Sequence, residues 1–228
     1  MLTGAGISTE SGIPDFRSAS GIWAHYDPRE VATIDAFHAD PAKVWEFYGR
    51  RLHVLGEAEP NDGHRALAEL EERGWVKAVI TQNVDGLHAR AGSLRVIEVH
   101  GTIGTASCLG CGLVVEAEDV IALLPVPACP ECGRVLKPDV VMFGELLPEA
   151  SVAEAVRLAA HAGALLVVGS SLEVYPIAGL PLETLAAGGS LAIVNRGSTQ
   201  FDSRAAVTID AAAGETLRAL ADALPERG

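Results

Sequence analysis

Short runs of apolar residues, each closed by a turn-forming residue, recur along the chain at 76–81, 96–99, 164–168, 191–194 and 206–209. Uninterrupted runs of this length, without polar alternation, read as strands buried on both faces. Between them lie stretches of helical character at 41–55, 63–73, 149–162, 181–187 and 214–224. Strands alternating with helices predict an α/β fold, a parallel sheet wound on both faces. Two segments break the alternation. Residues 107–136 hold every cysteine, and residues 18–55 read as helix and loop with no clear strand. The sheet is therefore expected from 1–17, 56–106 and 137–228, with 18–55 and 107–136 forming a small second lobe.

The start is abrupt. Met1 and Leu2 lead straight into Thr3-Gly4-Ala5-Gly6-Ile7-Ser8, where a phosphate-binding loop ordinarily follows a buried strand. That strand is expected to be missing or cut to a stub, which puts the anchoring of the loop in question.

At 228 residues the chain suits one large domain with a small module, and 49% hydrophobic against 21% charged residues excludes extended disorder. Aromatic residues make up only 5%, so an aliphatic core is expected. With 17 Lys and Arg against 30 Asp and Glu, the net charge is −13. Such a balance argues against nucleic acid as a partner, because phosphate binding needs a positive field. No apolar run has the length of a bilayer span, and the N-terminus lacks the pattern of a signal peptide. No membrane association is expected, and a cytoplasmic monomer is.

Cys108 and Cys111 form one C-x-x-C pair, Cys129 and Cys132 a second, with seventeen residues between. Two-residue spacers let both thiolates of a pair face one tetrahedral ion, and glycines at 110, 112 and 133 allow the turns that present them. One Zn²⁺ is the expected ion. Four thiolates close the coordination sphere, so the site should be structural. Unliganded cysteines or a redox pair are the plainer alternatives, and two such pairs seldom coincide by accident.

Gly4-Ala5-Gly6-Ile7-Ser8 is a glycine turn that lets backbone amides approach a pyrophosphate. It lacks the third glycine of the dehydrogenase fingerprint, since Thr9 stands there, and no acidic residue closes a second strand about twenty residues on. By itself it is as well explained as a tight turn. The continuation through Gly12-Ile13-Pro14-Asp15-Phe16-Arg17 adds an exposed aromatic and a cation, the makings of a lid. Thr81-Gln82-Asn83-Val84-Asp85, His100-Gly101, Gly169-Ser170-Ser171 and Asn195-Arg196 each follow an apolar run. They therefore fall at the carboxyl ends of strands, where open α/β sheets bind ligands. A histidine there suits a general base. Any one of these could be an ordinary turn; four at once are hard to explain by packing.

Together with the four cysteines, Lys137-Pro138-Asp139-Val140-Val141-Met142-Phe143-Gly144-Glu145 and Gly169-Ser170-Ser171-Leu172, these motifs resemble the sirtuins, the NAD-dependent protein-lysine deacylases, in order and over nearly the whole chain. The resemblance implies a Rossmann-like large domain, a small lobe of zinc module plus helical insert, and a cleft between them. It implies that Gly4, Ala5, Gly6, Ser8, Asp15, Phe16 and Arg17 hold NAD, that Gln82, Asn83 and Asp85 line its ribose and carboxamide pocket, and that Gly169, Ser170, Ser171, Asn195 and Ala213 continue the dinucleotide site. Val140, Val141, Phe143, Gly144 and Glu145 correspond to the strand that pairs with the substrate peptide, Val140 or Val141 offering a carbonyl to the acylated lysine. The implied reaction releases nicotinamide, and the acyl oxygen attacks the ribose. His100 is the general base and Asn83 a second catalytic residue; the products are free lysine and O-acyl-ADP-ribose.

Tyr48 and Arg51 lie three apart on the expected helix and so share a face. A guanidinium with a phenol can hold a carboxylate, although a packed tyrosine beside a solvated arginine is the plainer reading. With the small residue Ala32 nearby, the pair is similar to that of the bacterial-type desuccinylase and demalonylase branch. The expectation is removal of malonyl, succinyl or glutaryl groups, with acetyl-lysine as a second substrate. Competing readings are mono-ADP-ribosyl transfer to protein, a non-catalytic NAD or ADP-ribose sensor, and a zinc-ribbon nucleic-acid binder. The net charge disfavours the last.

Overall fold

In the computed structural model, which describes residues 1–226, the apolar runs become strands of one parallel sheet. Among the described residues the strands are β1 (Leu2–Thr3), β2 (Val79–Thr81), β3 (Val96–Glu98), β4 (Gly101–Ser107), β5 (Val114–Glu116), β6 (Lys137–Val140), β7 (Ala164–Val168), β8 (Ser190–Val194) and β9 (Val207–Ile209). The helices are α1 (Pro28–Val31), α2 (Ile34–Ala39), α3 (Pro41–Glu57), α4 (Asp62–Glu72), α5 (Leu87–Arg90), α6 (Ala117–Ala122), α7 (Glu149–Ala160), α8 (Leu180–Ala186) and α9 (Ala213–Ala223). Six strands form the parallel sheet in the order β3-β2-β1-β7-β8-β9. The order reverses between β1 and β7, and such a switch point opens a crevice at the strands' carboxyl ends.

The stub strand expected at the start is present and central. Leu2 and Thr3 pair with Ile80 and Thr81 on one side and with Val167 and Val168 on the other. Flanking bonds lengthen this ladder: Ile80 N donates to Met1 O (2.9 Å), Gln82 N to Thr3 O (3.0 Å) and Gly4 N to Val168 O (3.0 Å). Two residues suffice because neighbours on both sides satisfy their backbone groups.

Side chains on one strand alternate between the sheet's faces. Ile80, Val167 and Ile193 join the buried cluster that includes Ala155 and Ala159 of α7 and Leu180 of α8. Val79 and Val168 join the opposite cluster with Ala66, Leu67 and Leu70 of α4 and Leu217 and Ala221 of α9. Among their buried residues both cores are aliphatic apart from Phe201, with Trp75 packed at the edge of the second, as the composition predicts.

The small lobe departs from that expectation. Its core gathers Phe37, Trp45, Phe47 and Tyr48, so the few aromatic residues are concentrated there. Phe47 packs edge-on against both Tyr26 (5.1 Å between centroids) and Tyr48 (5.0 Å). Trp45 of α3 donates its indole N–H to Leu136 O (2.7 Å), which ties the helical insert to the cysteine-bearing segment. The lobe also contains an antiparallel sheet, β5-β4-β6, that the apolar pattern does not show. Residues 101–106 and 137–140, grouped with the large domain on sequence, thus pair with β5 or with each other in this second sheet. Their signal is weak because β4 reads Gly-Thr-Ile-Gly-Thr-Ala-Ser and buries only Ile103 and Ala106. Among the described residues no helix is long and apolar enough to cross a membrane.

Candidate functional site

At the β1/β7 switch point two glycine turns touch through their backbones. Gly6 N donates to Gly169 O (2.8 Å), and Gly169 N donates to Val194 O (2.9 Å). A Cβ on Gly6 would stand 2.7 Å from Gly169 Cα, and one on Gly169, where φ is +60°, would stand 2.3 Å from Ile7 N. Only glycine fits such an approach. The turns form the floor of a cavity of about 1290 Å³ between the lobes, and every catalytic, cofactor and substrate residue expected from the sequence lines it.

Behind the floor a polar network holds the first turn in place. Ser8, 1% exposed, donates to Asp85 Oδ2 (2.7 Å) and accepts from Asn83 Nδ2 (3.0 Å), which also donates to Gly4 O (3.1 Å). Both amide hydrogens of Asn83 are thereby directed to the turn. Gln82 reaches across β1 to donate to Ser170 Oγ (2.9 Å). Asn195 donates within its own loop, to Arg196 O (3.1 Å) and Gly197 O (3.0 Å). Asp15 Oδ1 accepts from the backbone N–H groups of Arg17 and Ser18. Arg17 pairs with Glu173 on the facing wall (2.8 Å), both side chains being substantially exposed. Ala213 opens α9, where Glu10 Oε2 accepts from Gly214 N (2.6 Å) and links the glycine turn to that helix.

The sequence reading passes over several supports. Asn61 caps α4 and donates to Ile7 O (2.8 Å) and Ser11 Oγ (3.0 Å). Buried His64 has its Nδ1 3.0 Å from Asn61 Oδ1 and its Nε2 3.5 Å from Ser8 Oγ. Buried His88 places Nε2 2.9 Å from Thr3 Oγ1 and its ring 4.8 Å from that of His64. An Asn followed by a polar residue three positions on, before a helix, is a capping signature that could have exposed the first pair.

His100 sits between β3 and β4. Its Nδ1–H donates to Gln82 O (3.1 Å), which makes Nε2 the unprotonated nitrogen. Burial holds the imidazole pKa below its ordinary value, with the Gln82 bond acting against that shift. The backbone of His100 accepts from Val141 N (2.8 Å), joining the histidine to the segment after β6. That segment also pairs with the insert, Phe143 N donating to Ala32 O (2.9 Å) and Ile34 N to Phe143 O (3.0 Å). Of the two carbonyls proposed for a substrate, Val140 O accepts from Lys137 Nζ (3.0 Å), while Val141 O accepts none from the described residues. Glu145 turns inward, accepting from Met142 N (2.8 Å) and pairing with Lys137.

Tyr48 and Arg51 meet the same cavity from α3. The Arg51 guanidinium carbon lies 5.1 Å from the Phe16 ring centroid and 5.7 Å from that of Phe47. Burial lowers the Arg51 pKa, Tyr48 and Asp85 opposing, and burial pushes the Tyr48 phenol up to about 12. Among the described residues no carboxylate pairs with Arg51; the cation is held by ring faces and the cavity.

Outside the cavity lining the four cysteine Sγ atoms lie within 4.8 Å of one another. Cys108 and Cys132 are 3.4 Å apart at sulfur, Cys111 and Cys129 3.6 Å. Tetrahedral Zn–S bonds of about 2.3 Å place sulfurs roughly 3.8 Å apart, so the thiolates suit such an ion. The two knuckles repeat one design: Gly112 N donates to Cys108 O (2.9 Å) and Gly133 N to Cys129 O (2.9 Å). The cysteines are positioned to bind a structural metal ion.

A switch-point cleft floored by glycine backbone, with a metal-knuckle lobe closing its other side, defines a class of dinucleotide-using α/β proteins. The Sir2 family model matches residues 4–176. An NAD-dependent protein deacylase 2 from Pyrobaculum aerophilum is 47% identical over 227 residues, covering 100% of this chain and 91% of its own. A solved Sir2 with deacetylated p53 peptide and 3′-O-acetyl-ADP-ribose is 44% identical, with a TM-score of 0.94 over 97% of this chain and 91% of that one. A second, Sir2 with p53 peptide and NAD⁺, is 43% identical, with a TM-score of 0.90 over 97% and 90%. The chain belongs to the Sir2 family.

Burial pushes the imidazole of His64 down to about 4, with Asp85 opposing, and that of His88 down to about 3, with His64 and the N-terminal ammonium adding to the shift, from 6.5. Below pH 6.5 the unfolded chain binds protons that the folded chain refuses, so the stability present above 6.5 declines as the pH falls toward 4. Thermal melts stepped through that window should show a falling Tm, with a shallower slope for His88→Gln. Metal analysis should find one zinc per chain, and a strong chelator should release it while lowering the Tm. A folded, metal-free wild-type protein with four titratable thiols would contradict the assignment.

Proposed function

We propose that this chain, an NAD-dependent protein deacylase, removes carboxylated acyl groups such as succinyl and malonyl from lysine, and acetyl as well. The observation that carries the deacylase reading is the placement of His100. Its Nε2 has an available lone pair in the cleft, its Nδ1–H is held by Gln82 O, and its backbone is bonded to the segment where the acyl-lysine would lie.

In this reading the turns at Gly4–Gly6 and Gly169–Ser171 receive the dinucleotide's pyrophosphate, because backbone amides and absent side chains let phosphates approach. Gln82 and Asp85 face its nicotinamide ribose, and Asn195 and Ala213 its adenosine end. Asn83 acts through the turn it braces. Phe16 and Arg17 cover the site, and Val141 O accepts the amide N–H of the acylated lysine. Bound NAD supplies an electrophilic ribose carbon when nicotinamide departs. His100, kept neutral near pH 7 by burial, then accepts a proton from a ribose hydroxyl. The metal lies outside this chemistry, since four thiolates leave it no open position.

The acyl preference rests on Arg51. A half-buried guanidinium that no carboxylate pairs with among the described residues is an anion site in waiting, and Tyr48 three residues away adds a hydroxyl donor. Ala32 leaves room for a longer chain. The protein is expected to work as a cytoplasmic monomer.

Mass spectrometry of NAD with succinyl-lysine peptide should detect O-succinyl-ADP-ribose. An ADP-ribosylated protein in its place would favour transfer to protein. His100→Ala should retain dinucleotide binding while losing roughly 10²–10⁴-fold in turnover, the usual contribution of a general base. Replacing Arg51 with Met should damage desuccinylation much more than deacetylation in kcat/KM; equal losses on the two peptides would remove the acyl preference.

A further inference from the structure

Residues 137–145 run from β6 along the cleft wall, and their two ends are joined by side chains. Lys137 Nζ lies 2.9 Å from Glu145 Oε2, with the lysine side chain 8% exposed and the glutamate 25%. The ammonium group also donates to Pro138 O (3.1 Å) and Val140 O (3.0 Å), so its three hydrogens have three acceptors. Glu145 Oε2 accepts from Met142 N (2.8 Å) as well, and Glu145 N donates to Met142 O (3.0 Å). One ion pair thus engages the backbone at 138, 140 and 142 within a nine-residue segment.

The pattern is selective. It occupies the carbonyl of Val140 and the amide of Met142, while Val141 N goes to His100 O. The carbonyl of Val141, between these anchored groups, is left without a donor among the described residues. Residues 141–145 have little other regular structure, β6 having ended at Val140. The connections to Ala32 and Ile34 hold Phe143 from the insert side alone.

We infer that the Lys137–Glu145 pair is a positioning device for the substrate strand, holding residues 140–142 so that Val141 O faces an incoming acyl-lysine amide. This rests on the deacylase reading above. The pair touches neither His100 nor the glycine turns, so its influence should fall on the peptide and spare the dinucleotide.

Removing one partner strands a buried charge, whereas replacing both with apolar residues can leave stability nearly unchanged. The test is therefore the double variant Lys137→Met/Glu145→Leu, alongside Glu145→Gln, which keeps an acceptor for Met142 N while weakening the pair. Peptide KM, ADP-ribose affinity by calorimetry and Tm are measured on the full chain. The expected result is a rise in peptide KM of roughly tenfold or more in the double variant and a smaller rise in Glu145→Gln, at unchanged ADP-ribose affinity. A peptide KM within twofold of wild type in Glu145→Gln and in the double variant overturns the inference. So does a parallel loss of peptide and ADP-ribose affinity that tracks Tm, which marks a merely structural pair. If the double variant does not fold, Glu145→Gln decides by the same criteria. A wild-type protein that neither binds nor turns over acyl-lysine peptide overturns the deacylase reading itself, and this inference with it.

Discussion

The contact on which the rest of the site depends is the meeting of two glycine turns at the reversal of strand order. Gly6 and Gly169 approach so closely that a methyl group on either would collide with the other's backbone. This joins β1 to β7 beyond the last ladder bond and clears side chains from the floor of the cleft. The polar groups that surround the floor come from neighbouring strand ends, Gln82, Asn83 and Asp85 after β2 and Ser170 and Ser171 after β7. A two-residue central strand is sufficient because its extension, the glycine turn, is fastened independently by Ser8, Asn61, Asn83 and Glu10.

The cleft lies between lobes with separate cores. The sheet is packed by aliphatic side chains on both faces, the small lobe by an aromatic cluster around α3. His100 stands at the seam, with β3 of the large sheet before it and β4 of the small sheet after it. Gly101 makes that change of direction possible: its φ is +75°, and a Cβ there would stand 2.0 Å from Asp139 O. The geometry that presents the imidazole is thus set by both sheets.

Much of this was legible in the sequence. The long apolar runs at 164–168 and 191–194 became β7 and β8 with little change, because strands buried on both faces carry a strong pattern. The small sheet was not legible, since β4 is rich in glycine and threonine and β5 buries Val115 alone. The four cysteines are legible from residue type and spacing, whereas His100 is singled out by its place after an apolar run and takes its expected role from the family resemblance. The supports of the site are not legible, because what matters for Asn61, His64 and the Lys137–Glu145 pair is burial and the group each one meets. The direction of a hydrogen bond is equally invisible in sequence: both hydrogens of the Asn83 amide point to the turn, and Val140 has already committed its carbonyl to Lys137.

The ion pair between Arg17 and Glu173 joins two stretches of the cavity lining with both side chains open to solvent. Exposed pairs of this kind are worth at most about 1 kcal/mol, which corresponds to a ratio of roughly five to one between joined and separated forms. Thermal fluctuation alone therefore parts this pair for at least about a sixth of the time. Added salt would screen the two charges and lengthen the interval that these two cavity-lining side chains spend apart.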